Sequence, residues 1–417
     1  MLVLKGRVID GTGSAPIEKG AVVVDGKIIK SVCNEREYVE LPDAEVIDIE
    51  DGTIMPGFID LHTHLGCMGT TNAIMVYTLS PYEKTCQAVH DMARLLEVGF
   101  TSVREVGGFA NYLKDPIAKG LVAGPRITAA GQVLTQTGGH NDLIHKFPVS
   151  FHERVDSSII VDGIDEVRKG CRLQFRAGAD FIKIMTTGGV TSQGDSPKNR
   201  QFSDSEIMAA VEEAEMQGTY VATHAQTLPG IKSSLRCGVK SIEHVFEIDD
   251  EAIELFLEND AWIIPTFTIL RCYIDRIDML PVTVAEKARW AYEMHRNSIS
   301  RAYKAGIKIG YGTDLISDPD ICPYGEKNLM EFFYLSEIGM TPMEAIMAAT
   351  KTASEVTMKA DQVGTLEAGK LADITVCTGN PLEDIKILTQ IDNIKLVVLD
   401  GKVIKNVLQG HQACAEA

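Results

Sequence analysis

The feature that most restricts the fold is a regular alternation of short apolar strands and amphipathic helical stretches along the middle of the chain. Such runs, rich in β-branched residues and separated by helical spacing, are typical of strands that alternate with helices. Eight runs have the strand pattern: GFIDLH, TSVREV, PRITAAG, FIKIMTT, YVATHA, SIEHVF, WIIPTFT and IKIGYGTD. Eight strands separated by helices over roughly 260 residues predict the α/β class and a (β/α)8 TIM barrel. A doubly wound open sheet is the alternative, but it gives no reason for eight strands.

The helical stretch SDSEIMAAVEEAEMQG carries its own boundary signals. Ser203 is followed three residues later by Glu206, which is the spacing of a capping box at a helix start. Gly218 closes the stretch, as glycine often does after the last helical turn. We therefore predict one helix between these two points.

The two ends of the chain differ from the middle, because both consist of short β-branched runs separated by Gly, Asp and Pro. MLVLKGRVID, GAVVVDGKIIKSV and AEVIDIEDGTI lie near the start, and ADITVCTG and IKLVVLDGKVIKN lie near the end. Each segment is too small to bury a core alone, so we expect both to form one small β-sandwich. The predicted domains are the sandwich, from residues 1–55 and 361–417, and a barrel over residues 56–360.

Composition and charge exclude several classes of function. The 417-residue chain has a formal net charge of −18, which disfavours both nucleic acid and an anionic membrane surface. No apolar window approaches the length of a spanning helix, and the first residues do not resemble a signal peptide. The nine cysteines include no CxxC pair, so we expect reduced thiols in a cytoplasmic protein.

Polar side chains fall where the predicted barrel strands end. Because a strand has period two, His62 and His64 in GFIDLHTHLG leave on the same face. Four further strands carry a metal-ligating or cationic residue at or near that edge: Lys183, His224, His244 and Asp314. Each alone has a structural interpretation, such as a core histidine or a helix N-cap. Together they are residue types that bind divalent metals, at the end of a barrel where active sites lie.

These motifs resemble those of the amidohydrolase superfamily over nearly the whole chain. The resemblance rests on DLHTH, on GTD of the eighth strand, and on the tail GMTPMEAIMAATKTASEV…GTLEAGKLADITV, which is similar to the imidazolonepropionase-related branch. Within that branch, QVLTQTGGHND and FIKIMTTGGVTS resemble metal-dependent dipeptidases and carboxypeptidases. Those enzymes release proline, arginine, lysine or a hydrophobic residue from a peptide C-terminus.

The resemblance implies a binuclear site, usually with two Zn²⁺ ions. Six side chains are the implied ligands: His62, His64, Lys183, His224, His244 and Asp314. Lys183 would bridge both ions after carboxylation by CO2, since an ammonium has no lone pair and a carbamate has two oxygens. Such a group can span ions about 3.5–4 Å apart.

The same resemblance suggests roles in catalysis and substrate binding. A hydroxide held between the ions is the expected nucleophile, with Asp314 as general base and then acid. His140 in TGGHND is the expected substrate contact, and a loop histidine bonded to Asp142 is the alternative. Weaker candidates for substrate contacts are Gln226, Arg200 and Arg271. The loop TTGGVTSQGDSPKNRQFS is expected to be either a mobile lid or an ordered surface loop.

The expected substrate is a small molecule, either a dipeptide or an N-acyl amino acid. Two positions depart from the peptidase pattern, Gln226 and Val245, which keeps open a lactone, carbamate or urea as substrate. A mononuclear deaminase is less favoured, because Thr227 stands where its acid–base glutamate would be. A catalytically inactive scaffold is disfavoured because all six ligands are present. A homo-oligomer is compatible with the sequence, which does not determine the oligomeric state.

Overall fold

The structure is a computed structural model that describes residues 1–67, 78–142, 145, 147–192, 194–318 and 320–408. Its strands are β1 (Leu2–Val8), β2 (Ile17–Asp25), β3 (Ile28–Asn34), β4 (Glu45–Pro56), β5 (Phe58–His64), β6 (Phe100–Glu105), β7 (Arg126–Ala129), β8 (Val133–Thr135), β9 (Ser158–Ile160), β10 (Ile182–Met185), β11 (Val221–Ala225), β12 (Ser241–His244), β13 (Trp262–Ile264), β14 (Lys308–Ile309), β15 (Leu315–Ile316), β16 (Ile374–Thr378), β17 (Ile394–Leu399) and β18 (Lys402–Asn406).

Helices cover much of the chain between the strands from β5 to β16. They are α1 (Pro81–Glu97), α2 (Lys114–Ala118), α3 (Ile164–Arg176), α4 (Asp204–Met216), α5 (Leu228–Arg236), α6 (Asp250–Glu258), α7 (Phe267–Asp275), α8 (Val282–Lys304), α9 (Glu326–Glu337), α10 (Pro342–Ala348) and α11 (Lys351–Val356). Short 3-10 helices lie at Glu35–Glu37, Ala110–Leu113, Val149–Arg154, Ile277–Met279, Ile385–Thr389 and Ile391–Asn393.

The two chain ends share one mixed sheet, in the order β18-β17-β16-β4-β1-β2-β3. The central strand β4 pairs with β1 in parallel and with β16 in the antiparallel sense, so it joins the two ends directly. Alternate residues such as Leu4, Val22 and Ile54 pack into a separate apolar cluster on one face of this sheet. The prediction that the two ends form one β structure is therefore confirmed.

The middle of the chain forms parallel β-structure alternating with helices, as the pattern predicts, but the ladder hydrogen bonds divide the strands between two sheets instead of one closed barrel. One has the order β15-β5-β6-β7, and the other has the order β14-β13-β12-β11-β10-β8-β9. Two backbone hydrogen bonds run between a strand of the first sheet and a residue that flanks a strand of the second: Leu61 N donates to Tyr311 O at 2.8 Å, and Asp180 N donates to Ala129 O at 2.7 Å. Because the strands within each sheet run parallel, their carboxyl ends lie at one edge of that sheet.

Helix boundaries follow the local signals in the sequence. The Ser203 side chain accepts a hydrogen bond from Glu206 N, and Glu206 reaches back to Ser203 N, which completes the predicted capping box of α4. The helix ends at Met216, and Gly218 follows with a φ of +71°, a conformation that glycine adopts without strain. This helix prediction is confirmed.

Two further expectations concern cysteines and membranes. All eight cysteines in the described part of the chain are free thiols. Among the described residues, helices long and apolar enough to span a bilayer are absent.

Candidate metal centre

The centre begins with the two histidines at the end of β5. His62 and His64 both direct Nε2 toward one carboxylate, at 3.3 Å and 3.2 Å from Asp314 Oδ1. Asp314 lies between β14 and β15 and donates its backbone N–H to His62 O at 2.8 Å, which brings the two segments together. The three residues, which the sequence analysis placed at strand ends, lie next to one another in the structure.

A buried ion pair supports His62 from the opposite side. His62 Nδ1 lies 2.7 Å from Glu243 Oε2, and the Arg104 guanidinium donates to both Glu243 oxygens at 2.8 and 2.9 Å. Burial alone would raise the pKa of Glu243, but Arg104 lowers it well below its usual range. The anionic Glu243 therefore lies against Nδ1 of His62, and Nε2 is the ring nitrogen directed toward Asp314 and available to a metal.

His244 and His224 lie beside this pair, at the ends of β12 and β11. The ring of His244 is 5.2 Å from that of His62 and 4.5 Å from that of His224, measured between centroids. His244 Nδ1 lies 2.8 Å from Thr266 Oγ1, and His224 Nε2 lies 3.2 Å from Gly188 O. Burial lowers the pKa of both imidazoles well below the ordinary value, so each is neutral and retains a lone pair.

Lys183 lies on β10, where its register places it opposite Ala222 of β11. The side chain is buried, with 1% of its surface exposed, and its Nζ has no hydrogen-bond partner among the described residues. Burial lowers the pKa of this amine to about 8. An amine that is buried, unpartnered and deprotonated with little cost is unusual in a core and is suited to chemical modification.

The buried Asp60 carboxylate links the backbone at His62 to the segment just before Asp314 and so fixes the geometry of this region. Its Oδ1 accepts from His62 N at 3.0 Å and from Thr313 N at 3.1 Å. Its Oδ2 accepts from Thr313 Oγ1 at 2.6 Å and from Asn328 Nδ2 at 2.9 Å.

The sequence analysis did not single out Asp60, Glu243 or Arg104. The sequence did carry a signal for them: each is a charged residue inside an otherwise apolar strand, and a charge in such a position requires a buried partner.

The donors in this region fit divalent metal ions. One ligand atom each of His62, His244 and Asp314 lies within 4.8 Å of the others. Imidazoles, a carboxylate and an unpartnered amine are collected in a largely buried space where charges are poorly solvated. This chemistry indicates a metal site that includes these three residues.

His140 is stacked on His224, with the ring centroids 4.2 Å apart and the planes 27° apart. Its Nδ1 lies 2.9 Å from Ser192 Oγ. Among the described residues no bond joins the His140 ring to Asp142, whose carboxylate accepts from Gly138 N at 2.9 Å. The stacking places His140 next to the candidate metal centre.

The three weaker candidates occupy different environments. Gln226 is buried, with 4% of its surface exposed, and its Oε1 has no hydrogen-bond partner among the described residues. Arg200 pairs with Asp204 at 2.6 Å, and Arg271 pairs with Asp275 at 2.9 Å. Within the described chain, neither arginine hydrogen-bonds to a candidate metal ligand. Gln226 lies two residues after the candidate ligand His224, so it is nearer to the site along the chain.

Two buried residues next to the candidate ligands bear on the alternative functions: Val245, a departure from the peptidase pattern, and Thr227, at the position of the deaminase glutamate. Val245 has a φ of +54°, a strained conformation for a β-branched residue, directly after His244. Thr227 donates its hydroxyl to Pro197 O at 2.7 Å, so it serves to hold a loop. Thr227 therefore has a structural contact in place of the proton-transfer role that a deaminase would require.

Parallel strands with histidines and an aspartate clustered at their carboxyl ends define an α/β protein of the metal-dependent hydrolase class. The amidohydrolase family matches residues 53–404 of this sequence. The chain therefore belongs to the amidohydrolase family and is a hydrolase.

Individual relatives agree with this assignment. Ochratoxinase of Aspergillus niger is 31% identical over 429 residues, covering 97% of this chain and 86% of that protein. The crystal structure of a Xaa-Pro dipeptidase with bound methionine in the active site is 33% identical, with a TM-score of 0.88 over 97% of this chain and 100% of the other. Imidazolonepropionase of Geobacillus kaustophilus is 24% identical over 428 residues, covering 94% and 91% of the two chains. The resemblance predicted from the motifs is confirmed.

Proposed function

We propose that the protein hydrolyses an amide bond in a dipeptide or an N-acyl amino acid, with two divalent metal ions. The observation that carries this proposal is the unpartnered amine of Lys183 beside the buried group of His62, His244 and Asp314. The dipeptidase relative with an amino acid in its active site supports a small molecule of this kind. The free cysteines support a reducing compartment such as the cytoplasm.

We propose that the two parallel sheets are parts of one (β/α)8 barrel, with the mixed sheet belonging to a β-sandwich beside it. The hydrogen bond from Leu61 N to Tyr311 O joins the first strand to the last and supports closure at that side. The hydrogen bond from Asp180 N to Ala129 O supports closure at the other side. A closed barrel would place all the strand ends around one site.

The proposed ligands divide into two sets around a shared residue. His62, His64 and Asp314 would hold one Zn²⁺ ion, and His224 and His244 would hold the other. Carboxylated Lys183 would bridge them, a role supported by an amine whose pKa of about 8 leaves part of it uncharged and able to react with CO2. Bound ions supply Lewis acidity to the scissile carbonyl and lower the pKa of water toward 7.

Asp314 is the proposed proton carrier. Its carboxylate would accept a proton from the attacking water and deliver that proton to the leaving amine, as general base and then acid. Its Oδ1 contacts both His62 and His64, and its backbone is bonded to His62 O, so its position is fixed. A fixed carboxylate needs no reorganisation between the two proton transfers.

The proposed substrate contacts are His140 and Gln226, with Arg200 and Arg271 as weaker candidates. His140 stacks on the candidate ligand His224, and the Gln226 amide has an unused buried oxygen. Either group could donate to or accept from a substrate carbonyl, carboxylate or amine. The two arginines would have to leave their aspartate partners to bind a carboxylate.

His140→Ala is expected to weaken substrate binding, with kcat/KM reduced about tenfold and most of the change in KM. Steady-state kinetics on the preferred substrate would measure it. His152→Ala is the control, because His152 is also a buried histidine but lies in the 3-10 helix Val149–Arg154, 3.2 Å from Ser158 Oγ. Equal kcat/KM for wild type and His140→Ala would show that His140 has only a structural role.

Glu243→Gln is expected to reduce metal affinity about 10–100-fold, because the neutral amide no longer enforces the His62 tautomer. Competition with a chelator would measure the affinity. The variant should also melt at a lower temperature, since Arg104 keeps a buried charge without an anionic partner. Glu213→Gln is the control, because Glu213 also pairs with an arginine, Arg172 at 2.7 Å, and should lose stability without losing metal affinity.

The proposed reaction is tested by incubating zinc-loaded protein with dipeptide libraries and N-acyl amino acids and measuring released amino acids with ninhydrin. Release confined to certain C-terminal residues would support the proposal and define the pocket preference. The contrary result is no release from protein that holds two metals per chain. That result would favour a lactone, carbamate or urea, a second candidate supported by Gln226 and Val245 beside the site.

A further inference from the structure

One lysine of helix α8 is surrounded by the backbone of the 187–200 loop, which follows β10. Lys287 Nζ donates to the carbonyl oxygens of Gly189 at 2.9 Å, Ser192 at 2.6 Å and Asp195 at 2.8 Å. An ammonium has three N–H groups, and all three are used here. The Asp195 carboxylate lies 3.7 Å away and adds an opposite charge. The loop is therefore folded around a single cation supplied by a distant helix.

The same helix contacts the second half of this loop. The Trp290 ring lies 5.7 Å from Lys198 Nζ, measured to the ring centroid, which is within range of a cation–π contact. Residues three apart on a helix share one face, so Lys287 and Trp290 point toward the loop together. Helix α8 therefore contacts the loop at two separated points.

The loop in turn determines where His140 lies. Ser192 Oγ is 2.9 Å from His140 Nδ1, and a Cβ added to Gly189 would lie 2.2–2.6 Å from the His140 ring. Only glycine permits this approach, because real Cβ atoms do not come so close to other atoms. The ring is enclosed between His224, on which it stacks, and the loop backbone. A loop displacement would remove one side of that enclosure.

Asp195 links the cation to the histidine. Its carboxylate accepts from Gly189 N at 3.4 Å, from Ser192 Oγ, and from Gln201 Nε2 at 3.2 Å. Gln201 Oε1 accepts from His140 N at 2.9 Å. The loop carbonyls, the carboxylate and the His140 backbone thus form one hydrogen-bonded unit around Lys287.

We infer that Lys287 is a positioning residue that holds the 187–200 loop against His140 and so fixes the imidazole for substrate binding. The substrate-binding part of this inference rests on the proposed function. The loop-holding part does not, because it concerns contacts that exist without substrate. Lys287 makes no hydrogen bond or ion pair with a candidate metal ligand in the described residues, and its hydrogen bonds hold the loop. Burial lowers the pKa of His140, and the nearby Lys287 charge lowers it further.

Lys287→Met tests the loop directly, because methionine keeps most of the side-chain volume and removes all three donors. Lys304→Met is the matched control, since Lys304 lies on the same helix, is exposed, and undergoes the same loss of charge. Hydrogen–deuterium exchange in the peptides spanning residues 186–202 is expected to accelerate about tenfold in Lys287→Met and to stay unchanged in the control. Unchanged exchange in Lys287→Met would overturn the inference.

Two further readouts test the effect on His140. The imidazole resonance of His140, assigned by its loss in His140→Ala, is expected to shift in Lys287→Met and not in Lys304→Met. An unchanged His140 resonance in a variant whose loop exchanges faster would also overturn the inference. Neither the exchange measurement nor the resonance requires enzymatic activity. On a hydrolysed substrate, the losses of kcat/KM in Lys287→Met and His140→Ala should combine to less than their product. A fully multiplicative double variant would show that Lys287 acts independently of His140.

Discussion

Lys183→Met is expected to lower kcat/KM by on the order of 10³-fold, because the bridging group between the two proposed ions is lost. Methionine has nearly the length of lysine but cannot form a carbamate. Metal content per chain, measured by mass spectrometry, should fall together with activity. Lys183→Ala should have the same effect. Wild-type metal content with unchanged turnover in either variant would exclude the bridging role.

The same substitution is expected to stabilise the metal-free protein, which separates a functional lysine from a structural one. The Lys183 amine is buried without a hydrogen-bond partner in the described chain, so an apolar side chain should be better tolerated there. Thermal melts in bicarbonate-free buffer would measure the difference. Lys84→Met is the control: Lys84 is also buried but pairs with Asp156 at 2.9 Å, so its removal should destabilise the protein.

The stabilisation by Lys183→Met should depend on pH with a defined sign. Burial lowers the pKa of Lys183 to about 8 in the folded protein, from an ordinary value of 10.5. Between these two values the unfolded chain binds a proton that the folded chain does not, so the wild type gains stability as pH rises. The advantage of Lys183→Met should therefore be largest below pH 8 and should shrink toward pH 10.5. A stability difference between Lys183→Met and wild type that stayed constant across this pH range would mean that Lys183 keeps its ordinary pKa.

Asp314→Asn is expected to lower kcat by about 10²–10⁴-fold while part of the metal is retained. The amide has the shape of the carboxylate and can still contact His62 and His64, but it cannot carry a proton between water and the leaving amine. Metal analysis and the pH dependence of kcat would be measured together, and the acidic limb of the profile should disappear. Asp318→Asn, four residues along the chain, is the control. Normal turnover in Asp314→Asn would exclude Asp314 as the proton carrier.

The alternation of parallel strands and helices in the middle of the chain could be predicted because its signals are local. Side chains alternate along a strand, so His62 and His64 had to share a face. Parallel strands have their carboxyl ends at one edge, so polar residues at or near several strand ends were expected to meet there. The capping box at Ser203 is likewise contained within four residues. The surface pairing of Arg271 with Asp275 likewise follows helical i,i+4 spacing, which the sequence analysis did not use.

The contacts that complete the candidate site could not be predicted in the same way. Glu243 reaches His62 across 181 positions of the chain, and Arg104 reaches Glu243 across 139. Lys287 reaches the Gly189 carbonyl across 98 positions. None of these pairings has a sequence spacing that distinguishes it from many others, because the partners meet only through the packing of separate strands and helices.

The sequence by itself therefore determined the order of strands and helices, the family, and which side chains are candidates to bind metal. Those properties depend on residue type and on short-range periodicity. The tertiary structure alone decided which histidine has a buried carboxylate behind it, that Lys183 has no hydrogen-bond partner among the described residues, and that His140 lies between His224 and a loop held by Lys287. Those properties depend on distances between elements far apart in the chain, which only the folded packing fixes.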